Sequence, residues 1–217
     1  RDRAMYHAKE SGRSTFKFYS EEIELRARRR LVLENRLKSA LLRKELLVHC
    51  QPHVELGSDR LIGLEALVRW QYGENRLLYP GEFIPLAENT GHIIPIGYWV
   101  IRTACTQLRH WHDQGMVHLR MTVNLSPRQL IHSHFTEQVR DILGETGIAP
   151  EALQFDTTEK ILLSPDSRFL ETLEKLKKMG IRIALDDFGS GYSSLAQLKE
   201  SPFDTIKMDA SFIRNIP

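Results

Sequence analysis

Cysteine is scarce: Cys50 and Cys105 are the only two in 217 residues, too few for a disulfide scaffold and without the spacing of a zinc site. Both sit in apolar surroundings, so they read as buried thiols of a reducing compartment. No stretch approaches the eighteen or more apolar residues of a membrane span, and the first residues lack a secretory pattern. The expectation is a soluble, cytoplasmic piece that makes no membrane contact of its own, from a parent free to carry an anchor. Charge of one sign is also lacking. Thirty Lys and Arg against twenty-eight Asp and Glu leave +2, which argues against a nucleic-acid polymer as partner and makes any polyanion site local. No His-Glu-x-x-His run occurs, and Gly191-Tyr192-Ser193-Ser194 is not Gly-x-Ser-x-Gly, so zinc-peptidase and serine-hydrolase chemistry are both disfavoured. His110 with His112, and His132 with His134, fit surfaces better than ligand pairs.

With 41% hydrophobic residues, the chain can build one good core. From Glu21 to Lys44, apolar residues recur at Ile23, Leu25, Leu31, Leu33, Leu37, Leu41 and Leu42, which predicts an amphipathic helix whose basic run, Arg26 to Arg30, is a solvated face. Short apolar segments then alternate with helical ones, the pattern of a parallel sheet flanked by helices. Strands are predicted at Leu46–Leu56, Leu61–Trp70, Leu119–Leu125, Leu153–Thr157, Ile181–Asp186 and Thr205–Met208. Helices are predicted near Pro80–Asn89, Ile94–Gln114, Phe135–Thr146, Ser167–Met179 and Ser193–Lys199. Before them, Arg1 to Tyr19 reads as the last turns of a helix, a glycine stop at Gly12 and a short strand from Thr15 to Tyr19.

Chemistry-bearing residues fall at or near strand ends: Glu65 and Arg69, Asn124, Asp156 and Glu159, Asp186 and Asp187, Lys207 and Asp209. That distribution fits the active face of an α/β protein of TIM-like (β/α) barrel type. Such a barrel takes about eight strands, so the six predicted here read as a barrel truncated after the sixth. Glu65, Asn124, Asp156 and Asp186 are hard oxygen ligands suited to Mg²⁺, Mn²⁺ or Ca²⁺. Asp187 can serve a second ion if the chain turns there, and Gly189 and Gly191 permit such a turn. Lys207 supplies a point charge for a nucleophilic water or a phosphate oxygen, and Arg69 a planar fork for a phosphate. The set suits phosphodiester hydrolysis.

Four runs carry a family resemblance: Glu65-Ala66-Leu67-Val68-Arg69-Trp70, Val123-Asn124-Leu125-Ser126, Asp186-Asp187-Phe188-Gly189-Ser190-Gly191-Tyr192-Ser193-Ser194-Leu195 and Ile206-Lys207-Met208-Asp209. Together with Gln51-Pro52 and Pro80-Gly81-Glu82-Phe83-Ile84-Pro85-Leu86-Ala87-Glu88, they resemble the EAL domain of cyclic di-GMP phosphodiesterases. The opening Ala4-Met5-Tyr6-His7-Ala8-Lys9-Glu10-Ser11-Gly12-Arg13 resembles the tail of a GGDEF domain. The organisation this implies is a GGDEF remnant over 1–19, a leading helix over 20–44, and an EAL domain over 45–217 that lacks its last two strand–helix units.

The resemblance implies a TIM-like barrel, atypical in its first strand, that hydrolyses cyclic di-GMP to linear pGpG with Mg²⁺ or Mn²⁺ and is inhibited by Ca²⁺. It implies Glu65, Asn124, Asp156, Asp186 and Asp187 as metal ligands, and a catalytic group of Glu65, Asp187, Lys207 and Glu159, the last anchoring the loop from Asp187 to Ser194. Gln51, Leu67 and Arg69 match substrate-contacting positions, and a homodimer through this domain is implied. The chain departs from the pattern in three places. The family's Glu-x-Thr-Glu reads Asp156-Thr157-Thr158-Glu159 here, one methylene shorter at the first ligand; Cys50 replaces a tyrosine; and the seventh-strand glutamates and eighth-strand glutamine do not occur before Pro217. The shortened ligand motivates a second reading, a cyclic di-GMP receptor that does not cleave.

Overall fold

The computed structural model describes residues 21–162, 164–189 and 201–212. The elements expected within 1–19, the helix Ser193–Lys199 and the loop beyond Gly189 lie outside these residues.

The leading helix α1 spans Glu21–Ala40, shorter than the apolar pattern predicted; Lys44, at φ 55°, turns the chain into the first strand. Leu37 and Ala40 are buried, whereas Arg28, Arg29 and Arg30 are exposed, as a solvated basic face requires. Strands follow at β1 (Leu46–Val54), β2 (Leu61–Gln71) and the two-residue β3 (Leu77–Leu78). Then come α2 (Pro80–Thr90), α3 (Ile93–Asp113), β4 (Arg120–Asn124), α4 (Pro127–Leu130), α5 (Phe135–Thr146), β5 (Leu153–Thr158), α6 (Arg168–Lys178), β6 (Arg182–Phe188) and β7 (Thr205–Met208).

The six strands expected from Leu46 onward are all present, and β3 makes seven among the described residues. The sheet order is β1-β2-β4-β5-β6-β7, with β3 on β2. β1 runs antiparallel to β2, and every later step from β2 through β7 is parallel. This is the TIM-like α/β arrangement with an inverted first strand. Alternation along each strand sends Ala66, Trp70, Met121, Val123, Phe155 and Ile183 toward the helices, where they form one buried core. Trp70 is fully buried, its indole N–H donating to Glu45 Oε2 at 3.0 Å, and Glu45 is bound in turn by Arg36 of α1 at 2.9 Å. The leading helix is thereby tied to the sheet.

The opposite face of the sheet carries the polar set. Register pairs Gln51 with Glu65, Glu65 with Thr122, Asn124 with Asp156, and Asp156 with Ala184. Strand spacing at Gly63 is tight, since a Cβ there would stand 2.8 Å from the Arg120 carbonyl oxygen of the neighbouring strand. A backbone atom held in a sheet cannot step aside, so Gly63→Ala is expected to destabilise the fold by about 2 kcal/mol, read as a lower urea midpoint at unchanged m-value.

Cys105 is buried and Cys50 only half-buried, and neither is bonded to the other. Burial pushes the Cys105 thiol up to about 12. Among the described residues no helix is long and apolar enough to cross a membrane.

Candidate active site

Glu65 lies mid-strand on β2, and alternation places Leu67 and Arg69 on its face toward the C-terminal end of the strand. Its carboxylate is held from three sides. Asn124 Nδ2 donates to Oε1 at 2.7 Å, Lys207 Nζ to Oε2 at 3.1 Å, and His53 Nε2 stands 3.5 Å from Oε2. The Lys207 ammonium, on β7, also pairs with Asp156 Oδ2. Gln154 Nε2 donates to the other Asp156 oxygen at 3.0 Å, two residues back on the same face of β5. Thus Glu65, Asn124, Asp156 and Lys207, from four strands, meet in one polar cluster, with Gln51 opposite Glu65 on β1.

The aspartate pair behaves differently from a simple strand end. β6 continues to Phe188, but its pairing with β7 slips between Leu185 and Phe188, and Asp187 adopts φ 55°. A bulge with a left-handed residue breaks the strict alternation that would aim adjacent side chains apart. Asp186 is on the face of Asp156, whose carboxyl senses its charge, while Asp187 senses both Asp186 and Lys207. Glu159 is buried, 4% exposed, in the turn that leaves β5.

The charges follow from these contacts. Glu65 is held down to about 2, chiefly by the His53 hydrogen bond, against the opposing effect of burial, with Asn124 and Lys207 adding to the depression. Asp156 is pushed up by burial, which Lys207 and Gln154 only partly offset. Burial alone would lower Lys207, yet the Asp156 and Glu65 carboxylates prevail and keep it a firm cation. Burial raises Asp187, followed by repulsion from Asp186 and Asp209.

The EAL domain family matches residues 34–217 of the chain. The chain belongs to the EAL domain family. Over 215 residues it is 40% identical to MucR, a bifunctional diguanylate cyclase/cyclic di-GMP phosphodiesterase of Pseudomonas aeruginosa; the match covers 99% of this chain and 31% of that protein. It is 39% identical over 215 residues to the cyclic di-GMP phosphodiesterase PdeR of Escherichia coli K12, with 99% and 32% covered. The chain therefore spans about a third of the length of these curated relatives. The solved PaMucR phosphodiesterase in complex with c-di-GMP superposes with a TM-score of 0.80 at 41% identity, covering 84% of this chain and 74% of that one. The EAL enzyme Bd1971, bound to cAMP and cyclic di-GMP, superposes at 0.80 with 32% identity over 86% of this chain and 52% of its own.

The EAL cluster of this chain fits a hard divalent cation by the chemistry of its donors: Glu65, Asn124, Asp156 and Asp186 offer oxygen only. Among the described residues no three His, Cys, Asp or Glu side chains close around a common point; the Lys207 ammonium bridges Glu65 and Asp156 instead. Of the three positions expected from the resemblance to contact substrate, Gln51 is exposed and Leu67 and Arg69 are half-buried. Sequence reasoning missed His53 and Gln154. Each stands two residues from a residue it singled out, Gln51 and Asp156, and alternation was the signal that could have found them. The histidine pairs are satisfied elsewhere: His112 binds the Leu119 carbonyl, His110 meets Gln114, His132 meets Tyr98 and His134 meets Glu137.

Proposed function

We propose that this chain hydrolyses cyclic di-GMP to linear pGpG at the Glu65–Asn124–Asp156–Lys207 cluster. The observation that carries the reading is the meeting of these four side chains, from four strands, on the inner face of an EAL domain whose relatives are cyclic di-GMP phosphodiesterases. Glu65, Asn124, Asp156 and Asp186 would hold Mg²⁺ or Mn²⁺, with Asp187 beside a second ion. When bound, such a cation supplies positive charge to the scissile phosphate and lowers the pKa of water.

The chain's own groups do the rest. Glu65, ionised at any working pH, keeps a permanent negative charge that can hold a cation. Lys207, cationic and poised between two carboxylates, can turn its donors to an attacking water or a phosphate oxygen and stabilise charge that grows there. Asn124 fixes the Glu65 rotamer through the 2.7 Å bond. Arg69 and Gln51 hold substrate at the rim, and Glu159 anchors the loop after Asp187. Residues 1–19 are inferred to end a GGDEF domain, because the match to MucR covers 99% of the chain and so reaches beyond residues 34–217.

A receptor that binds without cleaving is the second reading, favoured by one observation: the first ligand of the Glu-x-Thr-Glu position is the shorter Asp156, fully buried and already engaged by Lys207 and Gln154. Incubation with cyclic di-GMP separates the two readings. Linear dinucleotide appearing with Mg²⁺ or Mn²⁺, and not with Ca²⁺ or a chelator, is the expected result. Intact nucleotide that co-elutes with the protein would establish the receptor; neither product nor binding would defeat both.

A further inference from the structure

The N-terminal ends of the parallel strands form a second concave site, on the far side of Glu65 from Arg69. Gly63, Arg120, Gln154, Arg182 and Thr205 all lie within the first three residues of their strands, and the antiparallel β1 delivers its last residues, His53 and Val54, to the same end. Together they line a cavity of about 430 Å³, within the range of small-molecule sites. Gly63 stands opposite Arg120 and contributes no side chain, which leaves room there. Lys207 lines the same cavity and so borders both this site and the hydrolytic cluster.

The lining is basic without a matching acid. Among the described residues around the cavity stand the cations Arg120, Arg182 and Lys207, and no carboxylate. Lys207 is already shared between Glu65 and Asp156. Arg120 is exposed and makes no hydrogen bond or ion pair among the described residues. Arg182 is half-buried and equally unpaired there: the nearby Asp204 senses its charge but accepts instead from Lys177 Nζ at 3.0 Å and from the Ile183 N–H at 2.9 Å. Arg36, Arg60, Arg76, Arg109 and Arg168, by contrast, each pair with a carboxylate. The register sets the two unpaired arginines on the strands that flank β5, ~10 Å apart across the sheet at the usual strand spacing. Two arginine side chains can close that span on one oxyanion, each offering a planar fork of N–H donors that matches a phosphate. The Thr205 hydroxyl adds a further donor to the lining.

We propose that this cavity is a second ligand site, in which Arg120 and Arg182 grip a dianionic phosphate group. The group is a free phosphate or the phosphomonoester end of a nucleotide, which present the same oxygens to the two forks. The site lies at the opposite end of the strands from Arg69 and Asp186, and its occupation is independent of whether the chain cleaves a cyclic dinucleotide. Because Lys207 borders both sites, a dianion held here is within electrostatic reach of the ammonium that bridges Glu65 and Asp156.

Titration calorimetry of the metal-free 217-residue chain with inorganic phosphate, in chloride buffer, tests the site. One phosphate should bind per chain, Arg120→Gln and Arg182→Gln should each weaken it about tenfold, as loss of one charged donor group predicts, and the double variant should not bind. Arg69→Gln, at the other end of β2, should bind phosphate as wild type does. A second readout needs no variant. Phosphate should protect Arg120 and Arg182 of the wild-type chain from phenylglyoxal, read by peptide mass, while Arg140, exposed on α5, is modified at the same rate with and without it. Guanosine 5′-monophosphate separates the two sources: affinity equal to that of phosphate assigns the site to the free ion, and tighter binding that is also lost in the double variant assigns it to a nucleotide phosphomonoester. No binding by wild type, unchanged affinity in the double variant, or absence of protection would overturn the site. Each of these leaves the hydrolytic reading intact, since none of them measures turnover.

Discussion

Glu65→Gln is expected to lower turnover of cyclic di-GMP by about 10³-fold while leaving the fold in place. The substitution keeps the size of the side chain and removes its charge, which is the property the site has protected most strongly. His53, Asn124 and Lys207 all converge on this carboxylate, and together they hold its pKa at about 2 despite burial. A neutral amide can accept from Asn124 but turns an NH₂ toward Lys207, so the cluster loses an acceptor and a negative charge where a cation must be met. Initial rates with saturating Mn²⁺ measure the effect, and near-wild-type turnover would remove Glu65 from the chemistry.

The same group sets a stability window in acid. The folded pKa, about 2, lies below the ordinary value of 4.5, so ionised Glu65 favours the folded state. Its contribution is fully present above about pH 4.5 and is lost as pH falls through about 2. Thermal midpoints of metal-free wild type should therefore fall more steeply across that interval than those of Glu65→Gln. Parallel curves would show that Glu65 is not held as described.

Lys207→Met is expected to destabilise the metal-free protein by about 3 kcal/mol and to stop turnover. Asp156 is the reason. Its side chain is fully buried, and burial already pushes its pKa up even with Lys207 beside it. Without the ammonium, a buried carboxylate is left with Gln154 as its hydrogen-bond donor, and its desolvation is no longer offset. The double variant Asp156→Asn, Lys207→Met removes both charges and should recover most of the lost stability without recovering activity. Urea unfolding of the four proteins in the cycle measures the coupling; additive losses would mean that the pair is not the unit inferred from the structure.

Much of this site is legible in the chain because strand periodicity is strong. Glu65, Leu67 and Arg69 alternate with the core residues Ala66 and Trp70, so one face of β2 can be read directly. Asn124, Asp156 and Lys207 follow the same logic on shorter strands. What local sequence does not carry is partner choice. Nothing in Leu46–Val54 states that β1 runs antiparallel to β2, and that inversion is what brings His53 beneath Glu65. β3 is two residues long and α4 only four, too short for any periodicity to appear. The turn at the aspartate pair is marked by Gly189, but its form, a bulge with Asp187 at φ 55°, depends on how β7 pairs with β6.

The most direct test of hydrolysis at this cluster is mass spectrometry of the nucleotide recovered after the chain acts on cyclic di-GMP with Mn²⁺ in H₂¹⁸O. Attack by water on one phosphorus, with departure of the 3′ oxygen, predicts linear pGpG carrying a single ¹⁸O on its terminal phosphate, formed by wild type and not by Glu65→Gln. Unlabelled dinucleotide, or labelled product formed equally by both proteins, would contradict it.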